Sequence, residues 1–324
     1  MDGSSMRVPN APVPDPPVIF DLKGRGSVPT LMSLMDNKPF QISTKTKLGI
    51  DDVSGQAQLA AQIETHLKDE LTSRDMSYAL TGTLRDLRSE LLVPGHIFTA
   101  ELLQLTGTPD LIEISGAGRV SDIPFEGRWS HALGAPNLSS QVTAKFELTP
   151  ASLKTLNIGL PEGSLSGAAE GALRLEIAEN KPVAFEVTSD LTGARLQSEA
   201  LNWSKTAAQA AQLRVQGVFS EPLQVELLAL EAQGLSLEGT VEFDDEGLDR
   251  VVLSRLEVGD WLDGAATFIH QGSGVPMRLL LSGDLDLRSY GKLAGGEAAR
   301  ADTTAPMPMS LKLGRLQLSN TLFL

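Results

Sequence analysis

Apolar and polar residues alternate along most of this chain. Between Lys181 and Leu196, the side chains of Val183, Phe185, Val187 and Leu191 fall on one side of an extended backbone. Glu186, Thr188, Asp190 and Thr192 fall on the other. Successive side chains of a strand point to opposite faces, so this pattern predicts a strand with one apolar and one solvated face. The same period recurs in Ile42–Leu48, Val142–Leu148, Leu173–Ile177, Leu213–Phe219, Leu235–Phe243 and Met277–Leu287, and again around Leu311–Leu313 and Leu316–Leu318. One wet face per strand is the mark of antiparallel sheet, because parallel sheets are buried on both sides.

Few helices interrupt the pattern. Ser27-Val28-Pro29 ahead of Leu31, Leu34 and Met35 reads as a capped helix start, and Thr149-Pro150-Ala151-Ser152-Leu153 ahead of Leu156 repeats that design. Gln58–Leu71 fits either period; its neighbours are strands, so it is read as strand. The prediction is a mostly β protein with a few short helices.

The chain also repeats itself loosely. VIFDL (18–22) and KFELT (145–149) each precede a short helix, VSGQAQL (53–59) and LSGAAEGAL (165–173) each follow one, and SGDLDLRSY (282–290) opens a similar stretch. An internal period indicates like units added in series. The expected organisation is a linker or disordered segment over 1–17, a first β unit over 18–140, a second over 141–283 and the start of a third, truncated, over 284–324. The proline-rich opening MDGSSMRVPNAPVPDPP lacks the features of a signal peptide, which suggests a piece of a longer protein.

Composition narrows the functions. A net charge of −14 argues against nucleic acid and against broad adhesion to anionic lipid head groups. The absence of cysteine removes thiolate zinc sites, thiol catalysis and disulfides. No apolar run reaches the roughly 18 residues of a membrane-spanning helix.

Motifs for chemistry are also weak. Ser115-Gly116-Ala117-Gly118 is followed by residues that continue a strand, where a dinucleotide-binding turn would open a helix. His66, His96, His131 and His270 are scattered and read as surface residues. Asp244-Asp245-Glu246-Gly247 reads as a hairpin turn. Gly163-Ser164-Leu165-Ser166-Gly167 has leucine where a nucleophile elbow needs serine. No catalytic residue, metal ligand or cofactor is expected, and the chain is read as a non-enzyme.

The apolar faces must still be covered. A second sheet would make a sandwich; a sheet curled into an open trough would need a non-protein occupant. The open face of such a trough would measure on the order of a few thousand Å², against roughly 300–600 Å² for the largest patch on ordinary soluble monomers. Acyl chains fit that requirement, gaining about 0.8 kcal/mol per buried CH₂ without directional contacts. Periodicity alone leaves both arrangements open.

Several segments bear on the choice: VSGQAQLAAQIETHL (53–67), DMSYALTGTLRDL (75–87), LLVPG (91–95), LIEISGAGRVSDIPFEGRW (111–129), LPEGSLSGAAEGALRLEI (160–177), TSDLTGARL (188–196), ALNWSKTA (200–207) and LEVGDWLDGAATF (256–268). Together they resemble the central region of AsmA-like envelope proteins of the YhdP type. The resemblance implies a long curled antiparallel sheet with an apolar groove, extending across the periplasm from an inner-membrane anchor absent from this chain. It also implies support of phospholipid transport toward the outer membrane, with phospholipid acyl chains and other envelope proteins as partners. The groove candidates are Phe146, Phe185, Val187, Val215, Leu235, Leu237, Phe243, Leu279 and Leu281, in a passive role as an apolar path, while outer residues such as Glu186, Arg214 and Glu238 face water. The competing expectation is an all-β scaffold or adhesin-like sandwich that binds no lipid.

Overall fold

The computed structural model describes residues 3–9, 11–35, 53–67, 76–93, 95–133, 139–156, 158, 160, 163–178, 181–199, 201–244, 247–272, 275–290, 308–319 and 322. Among them the chain is mostly β, with seventeen strands in one large sheet and three in a small one. Contacts divide it into two units, Met1–Phe146 with Glu176–Lys181 and Glu147–Leu175 with Pro182–Leu324.

The first unit contains β1 (Ser5–Arg7), β2 (Pro17–Ser27), α1 (Val28–Met35), β3 (Ser54–His66), β4 (Ser77–Val93), β5 (His96–Gly107), β6 (Leu111–Val120), β7 (Ile123–Ala132) and most of β8 (Ser140–Leu148). From β2 to β8 each strand pairs antiparallel with the next. The registers turn alternation along each strand into rows across the sheet. One row reads Gly24, Leu59, Gly82, Leu105, Ile114, Trp129 and Val142. The adjacent row, on the other face, reads Arg25, Gln58, Thr83, Gln104, Ser115, Arg128 and Thr143. Every strand therefore turns its apolar set to the same side.

Helix α1 starts where expected: the Ser27 hydroxyl accepts from the Thr30 amide at 3.3 Å, satisfying one of the free donors of the first turn. Its Val28 and Leu31 join a buried cluster with Ala57, Leu80, Leu84, Leu87, Ala100, Leu103 and Leu105. Gln58 through His66 is strand, because the period-two reading is the one its neighbours can hydrogen-bond. Within the stretch read as linker, β1 pairs with β2, and Arg7 bridges to Asp21 at 2.9 Å. The strand expected at Ile42–Leu48 lies outside the described residues.

The second unit contains α2 (Pro150–Thr155), β9 (Leu165–Gly167), most of β10 (Ala169–Ile177), β11 (Val183–Ser189), β12 (Ala194–Ser198), β13 (Trp203–Lys205), β14 (Gln212–Phe219), β15 (Gln224–Ala232), β16 (Leu235–Asp244), β17 (Gly247–Val258), β18 (Leu262–Ile269), β19 (Arg278–Asp286), α3 (Leu287–Tyr290) and β20 (Met309–Gln317). A capping box opens α2: the Thr149 hydroxyl accepts from the Ser152 amide at 3.0 Å, and the Thr149 amide donates to the Ser152 hydroxyl at 2.8 Å. Strands β11 and β14 through β19 run antiparallel in sequence order.

Two expectations are corrected in this unit. The last pair, β19 with β20, is parallel. A parallel pair requires a long connection between its strands, here between the end of β19 at Asp286 and the start of β20 at Met309, a feature that alternation cannot register. Leu287 does not extend the preceding strand, because the Asp286 carboxylate accepts from the Arg288 amide at 3.0 Å and turns the chain into α3.

Candidate functional site

The apolar face of the second unit is the feature that all but one of the groove candidates share. Its registers give the row Val187, Val215, Leu228, Gly239, Leu253, Ala266, Leu281 and Leu311 across eight strands. The next apolar row reads Phe185, Gly217, Val225, Val241, Val251, Phe268, Leu279 and Met309. Leu235 and Leu237 pair with Val258 and Leu256, and Phe243 with Leu248, on the same face. Register shifts at Gln216/Gly217, Val225/Leu228, Glu238/Gly239, Leu253/Leu256 and elsewhere keep the apolar sets in step. Phe146 belongs to the first unit, where it pairs with Phe125 on the corresponding apolar face.

The two rows contain Gly239 and Gly217, and two more glycines lie beside them on the same face. Gly264 and Gly283 face each other across β18 and β19. A methyl group built on Gly264 would come within 2.1 Å of the Ser282 carbonyl oxygen, and Gly283 has φ +141°. Neither position accommodates a side chain without moving backbone.

Exposure divides the candidates. Leu235, Leu279 and Leu281 are 4, 3 and 7% exposed and belong to a closed cluster with Leu253, Leu256, Val258, Leu262, Ala266 and Leu285. Phe146, Phe185, Val187, Val215, Leu237 and Phe243 are half-buried. Further residues on the same face are open: Phe219 at 49%, Met309 at 50% and Leu311 at 51%. Phe185 and Phe219 lie with ring centroids 5.0 Å apart, a contact of two large apolar groups that remain partly in water.

The closed part of the face is covered by the small sheet, in which β12 pairs with β9 and β13. Its Trp203 is buried against the cluster, with Leu196 and Leu201 beside it, and donates from Nε1 to the Gln233 carbonyl at 2.9 Å. Trp261 makes an edge contact with Tyr290 at 5.0 Å, and Asn202 donates to the Tyr290 carbonyl at 3.0 Å. Lys205 holds this cap in place. It is 2% exposed, and its Nζ donates to the carbonyls of Leu191 (2.6 Å), Ala194 (2.8 Å) and Thr206 (3.2 Å). Burial lowers its pKa from the ordinary lysine value, and the Asp190 carboxylate offsets part of that.

The opposite face is charged and self-paired. Arg214 Nε donates to Glu186 Oε1 at 2.7 Å, and Arg255 Nε donates to Glu257 Oε1 at 2.8 Å. Asp286 is held at about 2, chiefly by its hydrogen bond from Arg288. Solvent screens these pairs, so they maintain solubility more than stability.

Two open hollows in this unit, of about 420 and 320 Å³, have mixed linings. One is framed by Asp190, Gln212 and Glu231, the other by Asp260, Asp263, Asp284 and Arg315. The sequence pattern and resemblance lead one to expect a long curled sheet with an apolar groove; the sheet is not closed or strongly curled, and no groove is shown among the described residues. Alternation determines which side is apolar, not how far the sheet bends.

No group of His, Asp and Glu suited to a metal ion occurs among the described residues. Three of the four histidines are at least partly exposed. His131 corrects the surface reading: it is 4% exposed, bonded to the Ser140 hydroxyl at 2.8 Å and stacked near Trp129. Its place on the apolar face of β7 could have been read from the alternation Phe125, Gly127, Trp129, His131. Ser115–Gly118 lies within β6, as expected for glycines in a strand. Among the described residues, no helix is long and apolar enough to cross a membrane. Comparison with protein-family models, with characterised proteins and with solved structures returns no match.

Proposed function

We propose that this chain is an internal segment of a periplasmic lipid conduit of the AsmA-like, YhdP type, and that the half-covered part of its apolar face lines a groove for phospholipid acyl chains. The observation that carries the reading is the pair of apolar rows running unbroken by charge across eight strands, with Phe185, Phe219, Met309 and Leu311 left partly or largely in water. Each such side chain forgoes part of the about 1.5–3 kcal/mol that full burial would return. Hydrocarbon tails suit the rows because leucine, valine and phenylalanine offer area without direction. Head groups would remain in water. The residues buried beneath the cap serve as core, and the open ones, with Phe185, Val187 and Val215, contact lipid. Anchoring in the inner membrane and passage toward the outer membrane belong to the same proposal.

Mass spectrometry of organic extracts from the purified chain tests it. Phospholipid is expected in stoichiometric amounts, and the Phe185→Glu/Phe219→Glu variant is expected to lose at least about tenfold of it while keeping its β circular dichroism. A clean extract from the parent chain favours the lipid-free scaffold.

A further inference from the structure

The hairpin of β4 and β5 ends in a tip built differently from the rest of the first unit. β3 pairs with β4 no further than Arg88, and β6 with β5 no further than Phe98, so residues 89–93 and 95–97 form a two-stranded ribbon beyond the neighbouring strands. Its sequence is Ser89-Glu90-Leu91-Leu92-Val93-Pro94-Gly95-His96-Ile97. The pairing slips between Ser89↔Phe98 and Val93↔His96, which leaves extra residues on the β4 side. The buried Ser89 hydroxyl accepts from both the Leu91 amide (3.2 Å) and the Leu92 amide (3.1 Å), fixing the bulge. On the other strand, Ser121 braces the tip: its amide donates to the Ile97 carbonyl at 2.7 Å, and its hydroxyl bonds His96 Nδ1 at 3.2 Å.

This held bulge presents apolar groups to water. Leu91 is 66% exposed, Leu92 38% and Ile97 38%. The wet-and-dry alternation that holds along β4 from Tyr78 to Leu84 stops here, and consecutive leucines are both in solvent. The one acidic residue of the ribbon, Glu90, is already paired with Arg88 at 2.7 Å.

We infer that this tip inserts into the surface of a phospholipid bilayer. The three exposed side chains offer on the order of 250 Å², far less than the roughly 800 Å² per partner of a standard protein interface. They are also presented by neighbouring positions of a narrow ribbon, where a protein partner would cover one side. A fluid apolar medium meets all of them at once. Shallow entry, about 5–10 Å into the head-group and acyl boundary, suffices to bury them. A net charge of −14 on the chain disfavours attraction to anionic lipid, so the contact is apolar and, on a zwitterionic membrane, insensitive to salt. The tip carries none of the residues assigned to acyl-chain binding, so this contact and that function can fail separately.

The chain contains no cysteine, so a single Leu91→Cys variant can be labelled cleanly with the environment-sensitive fluorophore NBD, alongside a Thr106→Cys control on the polar face of β5. With phosphatidylcholine vesicles, the label at 91 is expected to shift to the blue and to be quenched by brominated acyl chains. The label at 106 should do neither, and added salt should change nothing. The Leu91→Glu/Leu92→Glu variant should lower the vesicle-bound fraction at least about tenfold. An unshifted label at 91, or equal vesicle binding by the double variant, overturns the inference. A blue shift without vesicles that disappears on dilution overturns it in favour of a second copy of the chain.

Discussion

Leu281→Glu is expected to unfold the second unit or to lower its stability by about 4–5 kcal/mol, read as a fall in urea midpoint at unchanged slope. Leu281 is 7% exposed and sits in the row between Ala266 and Leu311, inside the cluster capped by Trp203. A carboxylate there is buried among the apolar side chains of that cluster, and the loss is a large share of the roughly 5–15 kcal/mol that holds a domain together. Phe185→Glu, on the same face, should cost under about 1.5 kcal/mol, because position 185 already reaches water. Equal losses at the two positions would contradict the division of this face into a closed core and an open lining.

Lys205→Met should cost about 2–4 kcal/mol in the same measurement. The methionine fills much of the volume but removes the ammonium from the buried carbonyls of Leu191, which keeps the Ala194 amide at 3.3 Å, and of Ala194, and an under-satisfied buried acceptor costs about 1–3 kcal/mol. Leu191 adopts φ +52°, a conformation rarely held by leucine, and the ammonium adds to the Ala194 amide bond that closes this turn. A midpoint shift of less than about 0.5 kcal/mol would show that the cap is held by its apolar contacts alone.

Much of this arrangement is legible in the residue pattern. Alternation alone places Phe185, Val187, Val215, Leu237 and Phe243 on one face, because side-chain direction in a strand follows parity and bulges restore parity where it slips. Both helix starts are readable from their caps at Ser27 and Thr149. What parity cannot tell is depth. Leu279 and Phe185 look alike in sequence and share a row, yet Trp203, a residue of another sheet, covers the cluster around the first and leaves the second half-open. Lys205 is unreadable for a related reason: a lysine in a three-residue strand reads as surface until the turn that folds its carbonyls around the ammonium is known. The crossover that makes β20 parallel is equally remote from any local signal.

The most direct test of acyl-chain binding puts a photoreactive benzophenone side chain at position 185 or at position 186, next to each other in β11 but on opposite faces, and irradiates each protein with phospholipid vesicles. A covalent adduct of phospholipid mass is expected at 185 and not at 186. No adduct at 185, or equal yields at both positions, would contradict the reading of this apolar face as a lipid lining.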